Sequence, residues 1–315
     1  MEKNKIIAAT FDPVFKALLS DEKCREYLAD LIHMCTKIPK EEIIKNVVIK
    51  NSELMNTLAK EKRKTADLIV EVRKNIIILE MNREKYDGWM QKDITYQNKV
   101  SAEQFLRGEE YTDEKKIIEI NFNNFHMFDN RTIIKFQMMD KERHLIENEN
   151  YERYHVNLAL IRKKYYNKEK LSKEEKELLM LTTEDRSELN EIVGEDDTMK
   201  KASEKLVDLS EDTDMIGLYD KEIVERKVRN SMIKTAKREG FEKGKQKGIK
   251  EGIKEGIKEG IKEGVEQGIE KGSIQKEKEI IISMLNKKFD IITISEITNL
   301  TIEEIEKIKK EMNNQ

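Results

Sequence analysis

Two apolar, β-prone runs stand almost back to back in residues 66–81, and they constrain the fold more than any other feature. The runs are Ala66–Val72 and Ile76–Met81, and three polar residues separate them. So short a break predicts a β-hairpin with a two-residue turn at Lys74-Asn75, because asparagine tolerates a positive φ. The chain therefore contains an antiparallel strand pair on which a sheet can be built.

One carboxylate in the second run needs an explanation. Glu80 lies within NIIILEMN, and a charge in so apolar a strand is costly to bury unless something pairs with it. The predicted turn pairs Ile69 with Glu80 and Asp67 with Asn82. Since directly paired residues share one face of a hairpin, Asp67, Glu80 and Asn82 are expected on the same side, at one end of it.

Two carboxylates that converge repel each other, and they stay ionised most easily with a cation between them. Mg²⁺ suits oxygen ligands and keeps several waters, so it commonly bridges to phosphate oxygens. The hairpin therefore predicts a metal site at Asp67 and Glu80. The residues alone leave another interpretation open, in which Glu80 faces water from an edge strand or pairs with Lys64 or Arg83.

Helical and strand patterns alternate through the first half of the chain. Asp12 and Pro13 start a helical region that ends at Pro39, with Asp12 interpreted first as an N-cap and second as a site residue. A long helix is predicted over Trp89–Leu106, which can return the chain to a non-neighbouring strand. This order predicts an α/β fold with a mixed sheet. The remaining strand candidates are Val47–Ile49, Ile117–Phe122, Ile133–Met138 and His155–Ile161.

Several blocks together resemble the PD-(D/E)XK nuclease superfamily, and within it the transposase-like, recombination-promoting nuclease group. In order, between Phe11 and about Tyr166, the blocks are FDPVFKALLSDE, TADLIVEV, IILEMN, FLRGEEY and IIEINFNNF. The resemblance implies a restriction-endonuclease-like core, with a central mixed sheet flanked by helices and a DNA-cleaving site that uses Mg²⁺, or alternatively Mn²⁺. Asp67 matches the family's metal-binding aspartate, and Glu80 matches the glutamate of its E-x-K element.

Asn82 departs from the family's pattern, because the superfamily has lysine there and this group often has glutamine. Asparagine carries no charge, although it can orient a water by hydrogen bonding. The resemblance implies a metal-dependent deoxyribonuclease linked to recombination or mobile elements, with catalytic residues Asp67, Glu80 and Asn82. The alternative is a catalytically degenerate nuclease fold that acts as a DNA- or protein-binding assembly module.

Five further residues are possible supporting members of this site. Asp12 and Lys16 belong to the FDPVFK block, which resembles the family's opening motif. Lys92, Tyr96 and Gln97 lie on the long helix that should cover the sheet, where they can contact phosphate or position a water. A solvated helix face is the other interpretation of that run. No nucleotide-binding glycine motif and no Ser or Cys nucleophile motif occurs in the sequence.

The second half of the chain has helical patterns and ends in a repeat. We expect a nuclease-like core over residues 1–165, a charged helical region over 166–239, a repeat over 240–272 and a short helical element over 273–315. The repeat is mostly Gly-Ile-Lys-Glu, and its period of four gives slowly drifting stripes on a helix. It is interpreted either as a self-association element, which would make a homo-oligomer through the C-terminal helices, or as a low-complexity spacer.

The last residues contain two capping-box patterns, Thr293–Glu296 and Thr301–Glu304, which predict two short consecutive helices. Such a pair is expected to pack or to support oligomerisation. A helix-turn-helix that reads DNA is the other interpretation.

Composition excludes little but indicates a compartment. The chain has 60 Lys and Arg against 63 Asp and Glu, so its net charge does not identify a nucleic-acid binder, although a local basic surface is enough for one. The two cysteines give neither metal-finger spacing nor a disulfide framework. No apolar run approaches the ~18 residues of a membrane span, and the polar N-terminus does not resemble a signal peptide. The expectation is a cytoplasmic protein without a membrane partner.

Overall fold

The computed structural model describes residues 4–50, 53–54, 64–104, 114–127 and 129–313. These form two compact units, Met1–Glu225 and Arg226–Gln315. The FLRGEEY block and the predicted helix end at Leu106 lie outside the described residues. The four-part division expected from the sequence stays a prediction.

A six-stranded mixed sheet forms the centre of the first unit. In chain order the strands are β1 (Val47–Lys50), β2 (Glu53–Leu54), β3 (Lys64–Thr65), β4 (Leu68–Val72), β5 (Asn75–Asn82), β6 (Lys116–Asn123), β7 (Ile133–Phe136) and β8 (Tyr151–Asn157). The order across the sheet is β1-β4-β5-β6-β8-β7, and β2 pairs separately with β3. β5 runs antiparallel to β4 and parallel to β6, and β6 runs parallel to β8. The predicted mixed sheet is therefore confirmed.

Helices flank this sheet and form the C-terminal region. They are α1 (Asp12–Leu19), α2 (Arg25–Thr36), α3 (Lys40–Asn46), α4 (Trp89–Glu103), α5 (Leu158–Tyr166), α6 (Lys173–Met180), α7 (Arg186–Val193), α8 (Asp197–Glu211), α9 (Thr213–Asn286), α10 (Ile291–Thr298) and α11 (Ile302–Asn313). Among the described helices, none is long and apolar enough to cross a bilayer. The architecture is the restriction-endonuclease-like core that the resemblance implied.

Side chains alternate between the two faces of β5, as a strand requires. Ile77 and Leu79 join the large core that includes residues of α1 and α2. Ile78 joins Tyr96 and Val100 of α4 in a smaller core on the opposite face. Glu80 has the parity of Ile78, so it projects on the face that α4 covers.

The β4–β5 hairpin turns one residue earlier than predicted. The two turn residues are Arg73 and Lys74, and Val72 pairs with Asn75. Asn75 closes the turn instead of occupying it, since its Nδ2 donates to the carbonyl of Val72 at 3.2 Å. Every predicted partner is therefore wrong by two residues, and Ile69 faces Ile78 instead of Glu80. Because an even shift preserves parity, the predicted face of each side chain is unchanged.

Two other predicted boundaries need correction. The strand predicted over His155–Ile161 begins earlier, at Tyr151, and it ends at Asn157, because the Asn157 side chain accepts a hydrogen bond from the Leu160 amide at 3.1 Å and starts α5. Asp12 is the first residue of α1 instead of its N-cap. The cap residue is Phe11, whose backbone is extended and whose buried ring packs edge-on against Tyr219.

The second unit contains most of α9 together with α10 and α11. Ile281, Ile294 and Ile305 are its fully buried core residues. The predicted box at Thr301–Glu304 is confirmed, with Glu304 N donating to Thr301 Oγ1 at 3.3 Å and Thr301 N donating to Glu304 Oε2 at 2.9 Å. The predicted box at Thr293–Glu296 is wrong, because α10 begins earlier and Asp290 caps it by accepting from the Thr293 amide at 3.0 Å.

Candidate active site

Asp67 and Glu80 meet where β5 passes the end of β4. The Asp67 amide donates to Glu80 Oε1 at 3.0 Å, and the Met81 amide donates to Asp67 Oδ2 at 2.7 Å. The two side chains are therefore direct neighbours across the hairpin, and not diagonal ones as predicted. Each carboxylate has one oxygen fixed by a backbone amide, so its other oxygen is positioned by the sheet and not by a flexible loop.

Lys92 faces this carboxylate pair from α4. Its Nζ lies 2.9 Å from Glu80 Oε2 and 5.2 Å from the centroid of the Tyr96 ring. The Glu80 side chain is fully buried, whereas that of Lys92 is 30% exposed. A buried carboxylate without a partner would carry a large desolvation penalty. The Lys92 ammonium offsets that penalty and at the same time reaches towards solvent.

The pKa values of the two acids are both raised. Burial raises the pKa of Glu80 to about 7, against the lowering effect of the Lys92 charge. Burial also raises the pKa of Asp67 well above its usual range, and the charges of Glu80 and Asp12 add to this. For Lys92 burial is the largest single effect and lowers the pKa, but the charge and hydrogen bond of Glu80, together with the charge of Asp67, outweigh burial and raise the pKa. The pair therefore resists carrying two negative charges with one ammonium as its partner, and a second cation would stabilise it.

A row of polar side chains continues from Asn82 across the sheet. Asn82 Nδ2 donates to Asn121 Oδ1 at 3.4 Å and to Asn123 Oδ1 at 3.2 Å. Asn123 Nδ2 in turn lies 3.3 Å from His155 Nδ1. Only 5% of Asn82 is exposed. Its amide nitrogen is thus used within the row, and its amide oxygen is the atom that remains for a water.

Asp12 interacts with the same charges although it lies on α1. Partial desolvation raises the pKa of Asp12, the Lys92 charge opposes this, and the Glu222 charge adds to it. Glu222, near the start of α9, forms an ion pair with Arg83, the residue that follows β5. The structure therefore brings the predicted supporting residue Asp12 into one electrostatic group with the carboxylate pair.

The other supporting candidates have different surroundings. Tyr96 is buried beneath Lys92. Gln97 is buried between α4 and β8, where its Nε2 donates to the Glu152 carbonyl at 3.1 Å and its Oε1 accepts from Arg153. Lys16 is exposed on α1.

Sequence reasoning missed the polar side chains under α4. Glu119 is fully buried and pairs with Arg153, whose Nε lies 2.7 Å from Glu119 Oε2. A signal for this was present, because Glu119, Asn121 and Asn123 alternate with apolar residues along β6 and mark a polar face.

Asp93 and His155 lie near this buried polar layer. Asp93 is fully buried, and neither of its carboxylate oxygens has a hydrogen-bond partner within the described part of the chain. Burial raises its pKa to about 6. Burial, and then the charge of Arg153, lower the pKa of His155 to about 4, so this imidazole is neutral at physiological pH.

A mixed sheet with two carboxylates at its central hairpin is the arrangement that the PD-(D/E)XK resemblance implied. A family model described as PD-(D/E)XK nuclease family transposase matches residues 9–236. This is well over half of the chain, and the chain belongs to that family. The match confirms the predicted family and fold, and it supports a nuclease linked to mobile elements. No curated protein and no solved structure matches the chain.

Proposed function

We propose that this protein is a Mg²⁺-dependent DNA endonuclease, which hydrolyses phosphodiester bonds during recombination or the movement of mobile elements. The observation that carries the proposal is the contact between Asp67 and Glu80, with one oxygen of each carboxylate fixed by a backbone amide. The family supplies the class of reaction, and this carboxylate pair supplies a place for it.

The donor set suits Mg²⁺ better than a metal that needs an all-protein cage. Among the residues described, no cluster of three or more His, Cys, Asp or Glu side chains has metal-holding geometry. Mg²⁺ is commonly held by one or two carboxylates while it keeps waters and contacts substrate phosphates. Asp67 and Glu80 would hold the ion, which would neutralise phosphate charge and activate a water when bound. Mn²⁺ shares this preference for oxygen ligands and is the alternative.

The chain's own residues have separate roles in this proposal. Asp67 and Glu80 fix the position of the ion because the hairpin holds both side chains. Asn82 helps to place the attacking water through its amide oxygen, since its nitrogen is bonded to Asn121 and Asn123. Asp12 adds negative charge at the same place. DNA is the proposed partner, and self-association through the C-terminal helices is a separate proposal.

Cleavage of supercoiled plasmid DNA tests the activity, with Mg²⁺ present and with chelator as the blank. Asp67→Ala should abolish cleavage, and exposed Asp87 provides the control Asp87→Ala, which removes an acid from the loop after β5 and should leave cleavage intact. Equal cleavage by wild type and Asp67→Ala would remove the claim for this site.

Calorimetry with Mg²⁺ or Mn²⁺ separates the nuclease from the degenerate binding module. The nuclease proposal requires that metal binding be lost in Glu80→Ala. If the wild type binds no metal, or if Glu80→Ala binds it unchanged, the binding module is favoured.

A further inference from the structure

The site lacks a positive charge at the position where the superfamily's motif has lysine. Asn82 is neutral, and its amide nitrogen is bonded to Asn121 and Asn123. Hydrolysis of a phosphodiester builds negative charge on the phosphate, and a fixed cation that contacts this charge lowers the barrier. If the proposed function is correct, a side-chain cation that acts beside the metal ion has to come from another element.

Lys92 is the cation that contacts the carboxylate pair within the described residues. Its Nζ is 2.9 Å from Glu80 Oε2, and the charge of Asp67 also acts on it. Nearby arginines are engaged elsewhere, since Arg83 pairs with Glu222 and Arg153 pairs with Glu119.

Packing at the start of α4 holds Lys92 in place. Trp89, the first residue of the helix, is buried. Its ring centroid lies 5.2 Å from the ring centroid of Phe125 and 5.5 Å from that of His155. One turn further on, the Lys92 ammonium lies over the buried Tyr96 ring. The helix therefore positions the ammonium between a fully buried carboxylate and solvent, where an incoming phosphate would meet it.

We propose that Lys92 is a catalytic residue that replaces the motif lysine from a helix, by contacting the scissile phosphate with a fixed positive charge. This role rests on the proposed endonuclease function. In the reaction a water oxygen forms a bond to phosphorus, the bond from phosphorus to the leaving deoxyribose oxygen breaks, and that oxygen takes up a proton as the water loses one. Lys92 keeps its protons and stabilises the charge that develops on the phosphate oxygens.

The experiment compares wild type with K92M, K92R, the double variant K92M/N82K and the matched control K115M. Lys115 also pairs with a glutamate, its Nζ lying 2.7 Å from Glu71 Oε1, but it is away from the carboxylate pair. Plasmid cleavage with Mg²⁺ and calorimetric binding of Mg²⁺ are measured for each protein, and thermal unfolding shows which of them are folded.

K92M should lower the cleavage rate by roughly 100-fold or more, the effect typical of losing one preorganised electrostatic contact. It should bind Mg²⁺ at least as tightly as wild type, because a competing cation on Glu80 has been removed. K92R and K92M/N82K should each recover part of the rate, since they restore a positive charge. K115M should match the wild type in both measurements.

Three outcomes overturn the inference. Cleavage by K92M within about twofold of wild type shows that the charge is not used. Loss of Mg²⁺ binding in K92M, with no recovery of cleavage in K92R or K92M/N82K, shows that Lys92 only supports Glu80. A wild-type protein that neither cleaves DNA nor binds Mg²⁺ overturns the proposed function, and the role proposed for Lys92 falls with that function. If K92M does not fold, K92Q takes its place and is judged by the same criteria, because glutamine can still donate a hydrogen bond to Glu80.

Discussion

Glu80 and Asp67 are joined through the backbone: Glu80 Oε1 accepts the Asp67 amide at 3.0 Å, and Asp67 Oδ2 accepts the amide of Met81, the residue after Glu80. Glu80 therefore has two roles at one place, because it binds the backbone amide of Asp67 and also carries a negative charge. Glutamine separates the two in part, because it keeps one accepting oxygen for the Asp67 amide and removes the charge.

Glu80→Gln should therefore keep the hydrogen bond from the Asp67 amide, lower the stability of the metal-free protein because its amide nitrogen faces the Lys92 ammonium, and remove the response to Mg²⁺. A ligand that binds the folded state at about 100 times its Kd stabilises by about 2.7 kcal/mol, so the wild-type Tm should rise with Mg²⁺. Thermal unfolding with and without the ion measures this, and Asp87→Asn on the exposed loop serves as control. An equal rise in Tm for Glu80→Gln would show that the ion binds elsewhere.

Arg73 occupies a turn position that suits glycine. Its φ is +53°, a region that side chains with a Cβ adopt only under strain. We expect Arg73→Gly to be more stable than Arg73→Ala by about 1 kcal/mol. Both variants lose the ion pair between Arg73 Nε and Glu42, so that contact cancels in the comparison. Urea unfolding gives the difference, and a more stable Ala variant would argue against a strained turn.

The β4–β5 hairpin also shows how much of the site can be predicted from the sequence. Alternation of apolar residues predicts which face Asp67 and Glu80 occupy. Moving the turn by one residue shifts the pairing by two, so each side chain stays on the predicted face. It does not predict that Arg73 takes the positive φ while Asn75 closes the turn, since asparagine's tolerance of a positive φ points to a turn at Lys74-Asn75 and the observed register of β4 against β5 overrides it. The contact between Lys92 and Glu80 depends on how α4 is rotated against the sheet, which only the packing of Trp89 and its neighbours determines.

The ion pair between Arg83 and Glu222 should lower the affinity of the protein for DNA. Arg83 directly follows β5, and Glu222 of α9 neutralises it. Glu222→Gln should release the guanidinium to bind phosphate and raise DNA affinity several-fold at low salt, with a steeper salt dependence. Fluorescence anisotropy with a labelled duplex and no Mg²⁺ measures this without cleavage. Glu225→Gln, an exposed neighbour one turn along α9, changes the net charge equally, so equal gains from both variants would contradict a specific effect of the pair.

Glu177 should make stability depend on pH. It is 2% exposed on α6, and burial, with the charge of Asp30 adding, raises its pKa from 4.5 to about 7. The unfolded chain therefore loses this proton first as pH rises. The stabilisation is present in full below about pH 4.5 and is lost as pH rises through 7.

Glu177→Gln should flatten this part of the profile of stability against pH by roughly 1–3 kcal/mol. Urea unfolding between these pH values tests it, with exposed Glu174→Gln as control, and an unchanged slope would contradict the assignment.

The Gly-Ile-Lys-Glu repeat lies within α9, and its period of four decides what its glycines can do. Four residues turn an α-helix through about 400°, so each stripe advances by about 40° per repeat and circles the helix once in about nine repeats. Glycine and isoleucine thus appear on every side of the helix in turn, and no straight partner helix can follow one stripe along its whole length.

Replacing Gly252, Gly256 and Gly260 together with alanine should therefore raise helicity without changing the assembly state. A Cβ added at any of the three meets nothing within 4 Å, and each alanine favours the helix by about 1 kcal/mol over glycine. Circular dichroism measures the helicity, and multi-angle light scattering measures the mass. A fall in mass would show instead that these glycines allow close contact between chains, and the repeat would then be the self-association element and not a spacer.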